Sequence, residues 1–160
     1  PLMQPGCRIV NTVSCTYAIG RIEPDFFEKG KNGRFFRIPV YGNTKLALLL
    51  FTQELAKRIQ DKGITINASD PGIVSTNMIT MQAWFDPLTD ILFRPFIKTP
   101  AQGAATAIHL ALSNEAKDKN GCCYANCKKR NVSERIRHHT QQKQLWDDTE
   151  ILLQQKGIRF

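Results

Sequence analysis

Tyr41 and Lys45 stand four residues apart in the run Tyr41-Gly42-Asn43-Thr44-Lys45. If that run is helical, the two side chains share a face, because residues i and i+4 are neighbours there. An ammonium beside a phenol favours the ionised phenol, whose ordinary pKa is about 10. A tyrosine so placed can act as a general acid or base. A second signal is Arg8-Ile9-Val10-Asn11-Thr12-Val13-Ser14, an apolar run that delivers a serine hydroxyl able to hold a substrate oxygen. A third is Asp70-Pro71-Gly72-Ile73-Val74-Ser75-Thr76, a tight turn followed by hydroxyls. Singly, each has an ordinary structural reading: a chance helical pair, a serine ending a strand, a Pro-Gly turn. Their order along the chain, on strand end, helix start and strand end, carries the argument.

The elements that must position them can be read from periodicity. Ile9 and Val10 suit a buried strand over Arg8–Ser14. Gly20 to Val40 reads as loop, punctuated by Gly20, Pro24, Gly30, Gly33 and Pro39. A helix is expected from Tyr41 to Gln60, stopped by Asp61, Lys62 and Gly63. Leu46, Leu48, Leu49, Leu50 and Phe51 cover most of its circumference, which predicts burial on more than one side, by a sheet and a partner helix. Ile64 and Ile66 alternate through a strand over Gly63–Ala68 that Asp70-Pro71-Gly72 ends. Pro100–Leu112 reads as a helix with Thr99 as N-cap, Cys122–Ala125 as a short strand, and His138–Gln154 as a polar helix. Strand and helix in alternation predict an α/β fold, a partial doubly wound parallel sheet of about three strands with flanking helices. Ligands of such sheets bind beyond the C-terminal strand ends, where all three signals fall.

Composition narrows the class. The chain has 160 residues, 42% hydrophobic and 22% charged, which suits one globular domain. The apolar run Leu46–Phe51 is far short of the roughly 20 residues needed to span a bilayer. Pro1 to Gly6 has neither the positive start nor the apolar stretch of a secretory leader. Five cysteines, an odd number, point to reduced thiols in a cytoplasmic setting. Cys123 and Cys127 have no partner pair of zinc-site spacing, so no metal is expected. The formal charge of +8 favours an anionic partner such as a phosphorylated cofactor. No nucleic-acid motif accompanies the basic and aromatic stretch Phe26–Arg37, so nucleic acid is not expected.

Together the motifs resemble the C-terminal part of a short-chain dehydrogenase/reductase of the retinol-dehydrogenase-like branch. The family's Asn-x-x-Ser strand end corresponds to Asn11–Ser14, its YxxxK helix to Tyr41–Lys45, and its PGxVxT loop to Pro71, Gly72, Val74 and Thr76. Thr99-Pro100-Ala101-Gln102-Gly103-Ala104 resembles the branch's TPEQGA helix start, Gly121–Lys128 its GKYFxDCK segment, and Leu145-Trp146 its late Leu-Trp helix. The resemblance covers nearly the whole chain. It implies Tyr41 as general acid/base, Lys45 as the residue that assists Tyr41 and holds the nicotinamide ribose, and Ser14 as the group that orients the substrate oxygen. It implies Tyr41, Lys45, Pro71, Gly72, Val74 and Thr76 at the cofactor, which would be NADP or NAD. The positive charge leans slightly toward NADP. The implied reaction is hydride transfer between NAD(P)H and an alcohol/carbonyl pair, with an apolar, retinoid-like or other lipophilic substrate.

The departures are as informative. No glycine-rich TGxxxGxG loop, NNAG segment or G-x-G-x-x-G variant occurs, and the family's catalytic asparagine before the serine strand has no counterpart. Residues 1–160 are therefore read as the C-terminal catalytic and substrate part of one Rossmann-fold domain. A pyrophosphate relies on backbone N–H groups of a glycine-rich turn at a helix N-terminus. Alone, the chain is expected to bind nicotinamide cofactor poorly, and its first strand to leave an open edge that invites pairing. The alternative is a truncated, catalytically silent interaction module derived from that family. No GxSxG elbow supports a serine hydrolase. A homodimer through the Tyr41–Gln60 helix and a peripheral membrane contact are expected partners. The apolar stretch Trp84–Lys98 could be a substrate lid, a membrane contact or plain core. The basic run Lys128–His139 could be a solvated face or a site for anionic lipid.

Overall fold

The computed structural model describes residues 3–23, 26–27, 37–74 and 97–158. Strand β1 spans Arg8–Thr12, helix α1 Arg37–Arg58, and strand β2 Thr65–Asp70. Helix α2 follows at Pro100–Leu112, then strands β3 (Cys123–Ala125) and β4 (Lys128–Arg130), and helices α3 (Glu134–Arg137) and α4 (Gln142–Gln155). The sheet order is β1-β2-β3-β4, with β1, β2 and β3 parallel and β4 antiparallel to β3. This is the α/β architecture that the alternation of patterns predicts, with a fourth strand added.

The central strand explains the layering. From Ile66 to Asp70 every residue of β2 is buried, as expected of a parallel strand covered on both faces. On one face Ala68 joins Val13, Tyr17, Leu46, Leu49, Leu50, Cys123, Ile136 and Leu145 in the main core, beneath α1 and α4. Ile66 continues that face with Ala56, Ile59 and Ile64. On the other, Leu110 of α2 packs with Ala116 and Tyr124. Asn67 is satisfied there: its Nδ2 donates to Lys119 O at 2.7 Å, and its Oδ1 accepts from Cys122 N at 3.0 Å. Leu46, Leu49 and Leu50 are wholly enclosed. Truncating any one to Ala would cost about 2–5 kcal/mol.

Three boundaries differ from expectation for physical reasons. Helix α1 begins at Arg37, not Tyr41, because Pro39 falls in the first turn, where the missing N–H has no intrahelical partner to lose. Tyr41 therefore stands in the second turn. Strand β4, unexpected in Lys128-Lys129-Arg130, arises from a two-residue hairpin in which Asn126 and Cys127 both have positive φ, 52° and 59°. The last helix starts at Gln142, after the separate short turn of α3.

Helix α4 is the partner that the circumference of α1 demands. Trp146 stacks on Phe51 with ring centroids 5.0 Å apart, and the Arg58 guanidinium lies 4.4 Å from the Trp146 ring. Gln142 Nε2 donates to Glu54 Oε2 at 3.1 Å. At the margins, the exposed lysines of β4 guard one edge, while β1 pairs only with β2 among the described residues. No described helix is long and apolar enough to cross a membrane.

Candidate active site

The turn after β1 positions Ser14. The strand ends at Thr12, and Ser14 caps a 3-10 turn over Cys15–Ile19, its Oγ accepting from Thr16 N at 3.4 Å. Such hydroxyl capping is the local bond that ends strands at serine. Tyr17 N donates back to Ser14 O at 2.9 Å, so the turn is closed on itself.

Tyr41 and Lys45 lie on one face of α1, with Lys45 Nζ 5.4 Å from the Tyr41 ring centroid. Lys45 Nζ also donates to Thr12 O, the last carbonyl of β1, at 3.0 Å. The ammonium thus ties the helix to the strand that leads into Ser14. Tyr41 is 39% exposed, open to a ligand. Asn11 Nδ2 donates to Thr52 Oγ1 at 2.9 Å, a second tie between β1 and α1. Two glycines allow closer approach still: a Cβ on Gly20 would lie 2.5 Å from Gly42 O. Asn43 Oδ1 accepts from Arg21 N at 2.8 Å across the same seam.

The turn after β2 is built on Asp70, whose Oδ1 accepts from Gly72 N at 3.0 Å. Gly72 has φ +77°, the left-handed conformation that favours glycine. Lys98 closes over it, donating from Nζ to Pro71 O at 2.9 Å and to Asn126 Oδ1 at 2.6 Å. Val74 bridges to Lys98 and packs on α2 where Gly103 offers room, since a Cβ there would meet Val74 Cγ2 at 2.5 Å. Lys98 is therefore a clamp on this turn. Thr76 and the stretch 84–96 lie outside the described residues.

Ser14, Tyr41 and Lys45 are thus brought to one end of the sheet, and Pro71, Gly72 and Val74 to the neighbouring strand end. Residue-type reasoning passed over Gly20, Gly42, Asn43, Asp70 and Lys98 as partners of these six. Gly42 and Asn43 lay inside the Tyr-to-Lys run itself, where the spacing of small and amide residues was the available signal. The arrangement fits the nicotinamide and ribose end of a dinucleotide: an exposed phenol, an adjacent ammonium and a glycine turn beyond parallel strand ends. No glycine-rich turn suited to a pyrophosphate accompanies them among the described residues.

Two titratable groups behind the Ser14 turn are strongly perturbed. Burial, then the neighbouring Cys123, pushes the Tyr17 phenol up to about 12. Burial, then the charge of Asp70, pushes the Cys123 thiol up to about 11. Both are held neutral at neutral pH. All five cysteines are unbridged thiols.

The family model described as short chain dehydrogenase matches residues 29–84, which contain both the Tyr41–Lys45 and the Pro71–Thr76 runs. Mouse retinol dehydrogenase 12 is 39% identical over 88% of this chain and 43% of its own length. Human retinol dehydrogenase 12 is 37% identical over 96% of this chain and 46% of its own. Human retinol dehydrogenase 14 is 34% identical over 91% of this chain and 44% of its own. The chain thus spans less than half the length of these curated relatives. Among solved structures, a short chain dehydrogenase from Burkholderia cenocepacia in complex with NADP matches 77% of this chain and 45% of its own. Its TM-score is 0.55 at 22% identity. An uncharacterized protein from Mycobacterium paratuberculosis matches 92% and 50%, with TM-score 0.64 at 20% identity. At those identities the two show the shared fold. Motifs, sheet order and relatives agree: the chain belongs to the short-chain dehydrogenase/reductase family, in its retinol-dehydrogenase-like branch.

Proposed function

We propose that these residues form the catalytic and nicotinamide-facing part of an NAD(P)-dependent oxidoreductase acting on an alcohol/carbonyl pair. The observation that carries the reading is the placement of Tyr41 and Lys45 on one face of α1, with Lys45 anchored to the end of β1 that leads into Ser14. When bound, a nicotinamide cofactor supplies or takes the hydride. Tyr41 Oη gives its proton to the carbonyl oxygen as that oxygen gains charge, or takes it back in the alcohol direction. Ser14 Oγ donates to the same oxygen and fixes the substrate's approach. Lys45 Nζ holds positive charge beside the phenol and reaches the ribose. The resemblance assigns Pro71, Gly72, Val74 and Thr76 to the nicotinamide end of the cofactor.

The names of the relatives support a retinoid-like or other lipophilic substrate. The net charge of +8 supports NADP over NAD, and five free thiols support a cytoplasmic setting. Two copies pairing through α1 would build on α4 as well, since no α1 side chain from Lys45 to Ala56 is exposed. The exposed Lys128 and Lys129 support a peripheral contact with anionic membrane.

The test is NADPH oxidation with a panel of apolar aldehydes, wild type against Tyr41→Phe. Loss of turnover in a folded variant supports the reading, and equal rates in both refute it. The position of β1 at the sheet margin favours a second reading, a catalytically silent module that pairs through that edge. Residues 1–160 read as the C-terminal part of one Rossmann-fold domain are expected to bind NADPH weakly by themselves. Calorimetric titration of the 160-residue chain tests that expectation, and micromolar binding refutes it; turnover that Tyr41→Phe abolishes is what separates the oxidoreductase from the silent module.

A further inference from the structure

Asp70 is the last residue of β2, and its side chain is only 2% exposed. A carboxylate so enclosed needs partners for both oxygens. Oδ1 accepts from Gly72 N at 3.0 Å, and Oδ2 accepts from Arg130 Nη1 at 2.9 Å. Arg130 comes from β4, and its guanidinium carbon lies 6.0 Å from the centroid of the Tyr17 ring, at the limit of cation–π contact. Tyr17 shares the buried core with Cys123 of β3, and its N–H donates to Ser14 O at 2.9 Å. One guanidinium therefore touches, through one intermediary each, the Gly72 turn after β2 and the Ser14 turn after β1.

Stability alone does not account for this arrangement. An ion pair with a buried carboxylate and a half-exposed guanidinium gains little, because desolvation of the one and solvent screening of the other offset the Coulomb attraction. A pair whose carboxylate shapes one ligand-facing turn, and whose guanidinium packs on the other, does what an apolar pair cannot: it fixes direction. The side chain of Arg130 is 45% exposed, so the guanidinium enters the cluster from the solvent side and has room to move.

We propose that Arg130 is a positioning residue that couples the Gly72 turn to the Ser14 turn, through Asp70 on one side and the Tyr17 ring on the other. What the two turns then hold rests on the oxidoreductase reading; the coupling itself does not.

The experiment reads backbone amide resonances of Gly72 and Tyr17 in the 160-residue chain carrying Arg130→Met, Arg130→Lys or Asp70→Asn. Arg130→Met is expected to shift both, and Arg130→Lys, which keeps a cation within reach of Asp70, to restore the Gly72 resonance. Asp70→Asn keeps an acceptor for Gly72 N yet weakens the hold on Arg130, so it is expected to move the Tyr17 amide, to which Asp70 makes no hydrogen bond. In an Arg130→Met background that remote shift disappears. If Arg130→Met fails to fold, Arg130→Gln takes its place in both comparisons. A Tyr17 resonance unmoved by Asp70→Asn overturns the proposal, as does a Gly72 resonance unmoved by Arg130→Met. No cofactor enters the measurement, so the oxidoreductase reading and the coupling fail separately.

Discussion

A Cβ on Gly42 would lie 2.9 Å from the carbonyl oxygen of Thr16, so α1 and the Ser14 turn meet backbone to backbone beside Tyr41. Replacing a helical glycine by alanine ordinarily gains up to about 1 kcal/mol. Overpacking of a rigid contact costs about 1–3 kcal/mol. The clash wins here because the obstructing atom is main chain. Gly42→Ala is therefore expected to lower stability by roughly 1–2 kcal/mol net, measured by urea unfolding. Gly20→Ala, whose Cβ would meet Gly42 O at 2.5 Å and Leu46 Cβ at 2.7 Å, is expected to cost more. An unchanged or raised midpoint for either variant would show that the seam gives way without cost.

The start of α2 carries a complete capping box. Thr99 Oγ1 accepts from Gln102 N at 3.2 Å, and Gln102 Oε1 accepts from Thr99 N at 2.9 Å. Thr99→Ala removes the first bond, at a cost of about 1 kcal/mol. For a chain of this size that corresponds to a fall in melting temperature of about 2–4 °C. Thr99→Ser, which keeps the hydroxyl, is expected to melt near the wild type.

Asn67 is 3% exposed with both ends of its amide engaged by Lys119 O and Cys122 N. Asn67→Leu leaves that carbonyl and that N–H without partners, each at about 1–3 kcal/mol. A drop in unfolding free energy larger than that of Thr99→Ala is expected. The same burial closes the Asn67-Ala68-Ser69 sequon to glycan transfer in the folded chain.

The thiols are sorted by environment. Cys15 is exposed, whereas Cys123 is buried with its thiol pushed up to about 11, by burial first. Only a thiolate is the nucleophile. Brief iodoacetamide treatment at neutral pH is expected to label Cys15 and spare Cys123, read by peptide mass spectrometry. Labelling of Cys123 at the rate of Cys15 would contradict the structure.

Stability should fall on the alkaline side. The folded chain raises Cys123 from 9.0 to about 11 and Tyr17 from 10.0 to about 12, so it binds those protons more tightly than the unfolded chain. Their contribution is complete below the unfolded values and is lost as pH rises through the folded ones, from about 9 upward. His139 has the opposite sign. Burial, then Arg135, lowers it from 6.5, so its contribution is present above that value and lost as pH falls below it. Unfolding curves across pH are expected to show a plateau between these limbs, with the alkaline limb shallower in Cys123→Ala.

The legible parts of the sequence were those with local causes. Thr99-Pro100 announced α2 because a cap and a first-turn proline act within four residues. Tyr41 and Lys45 announced a shared face because helical spacing is local. The missed parts depend on partners distant in the chain. Lys128-Lys129-Arg130 has no strand pattern of its own and becomes β4 through the Asn126-Cys127 turn. The clamp by Lys98 was not legible because nothing near it in sequence shows that Pro71 O and Asn126 Oδ1 await it. Pro39 read as loop punctuation although it stands in the first turn of α1, where a proline is permitted.

The register Arg8↔Thr65 and Ala68↔Cys123 joins strands more than fifty residues apart along the chain, and among the described residues the β3–β4 hairpin is the sole short-range pairing of the sheet. On a ribosome, β1 must therefore wait for β2 to emerge, and β2 for β3, while α1 can already wind. Long loop closures before any reward make assembly slow and late. Nascent polypeptides stalled before Cys123 should remain open to protease, and those released past Gln155, with α4 in place over α1, should close.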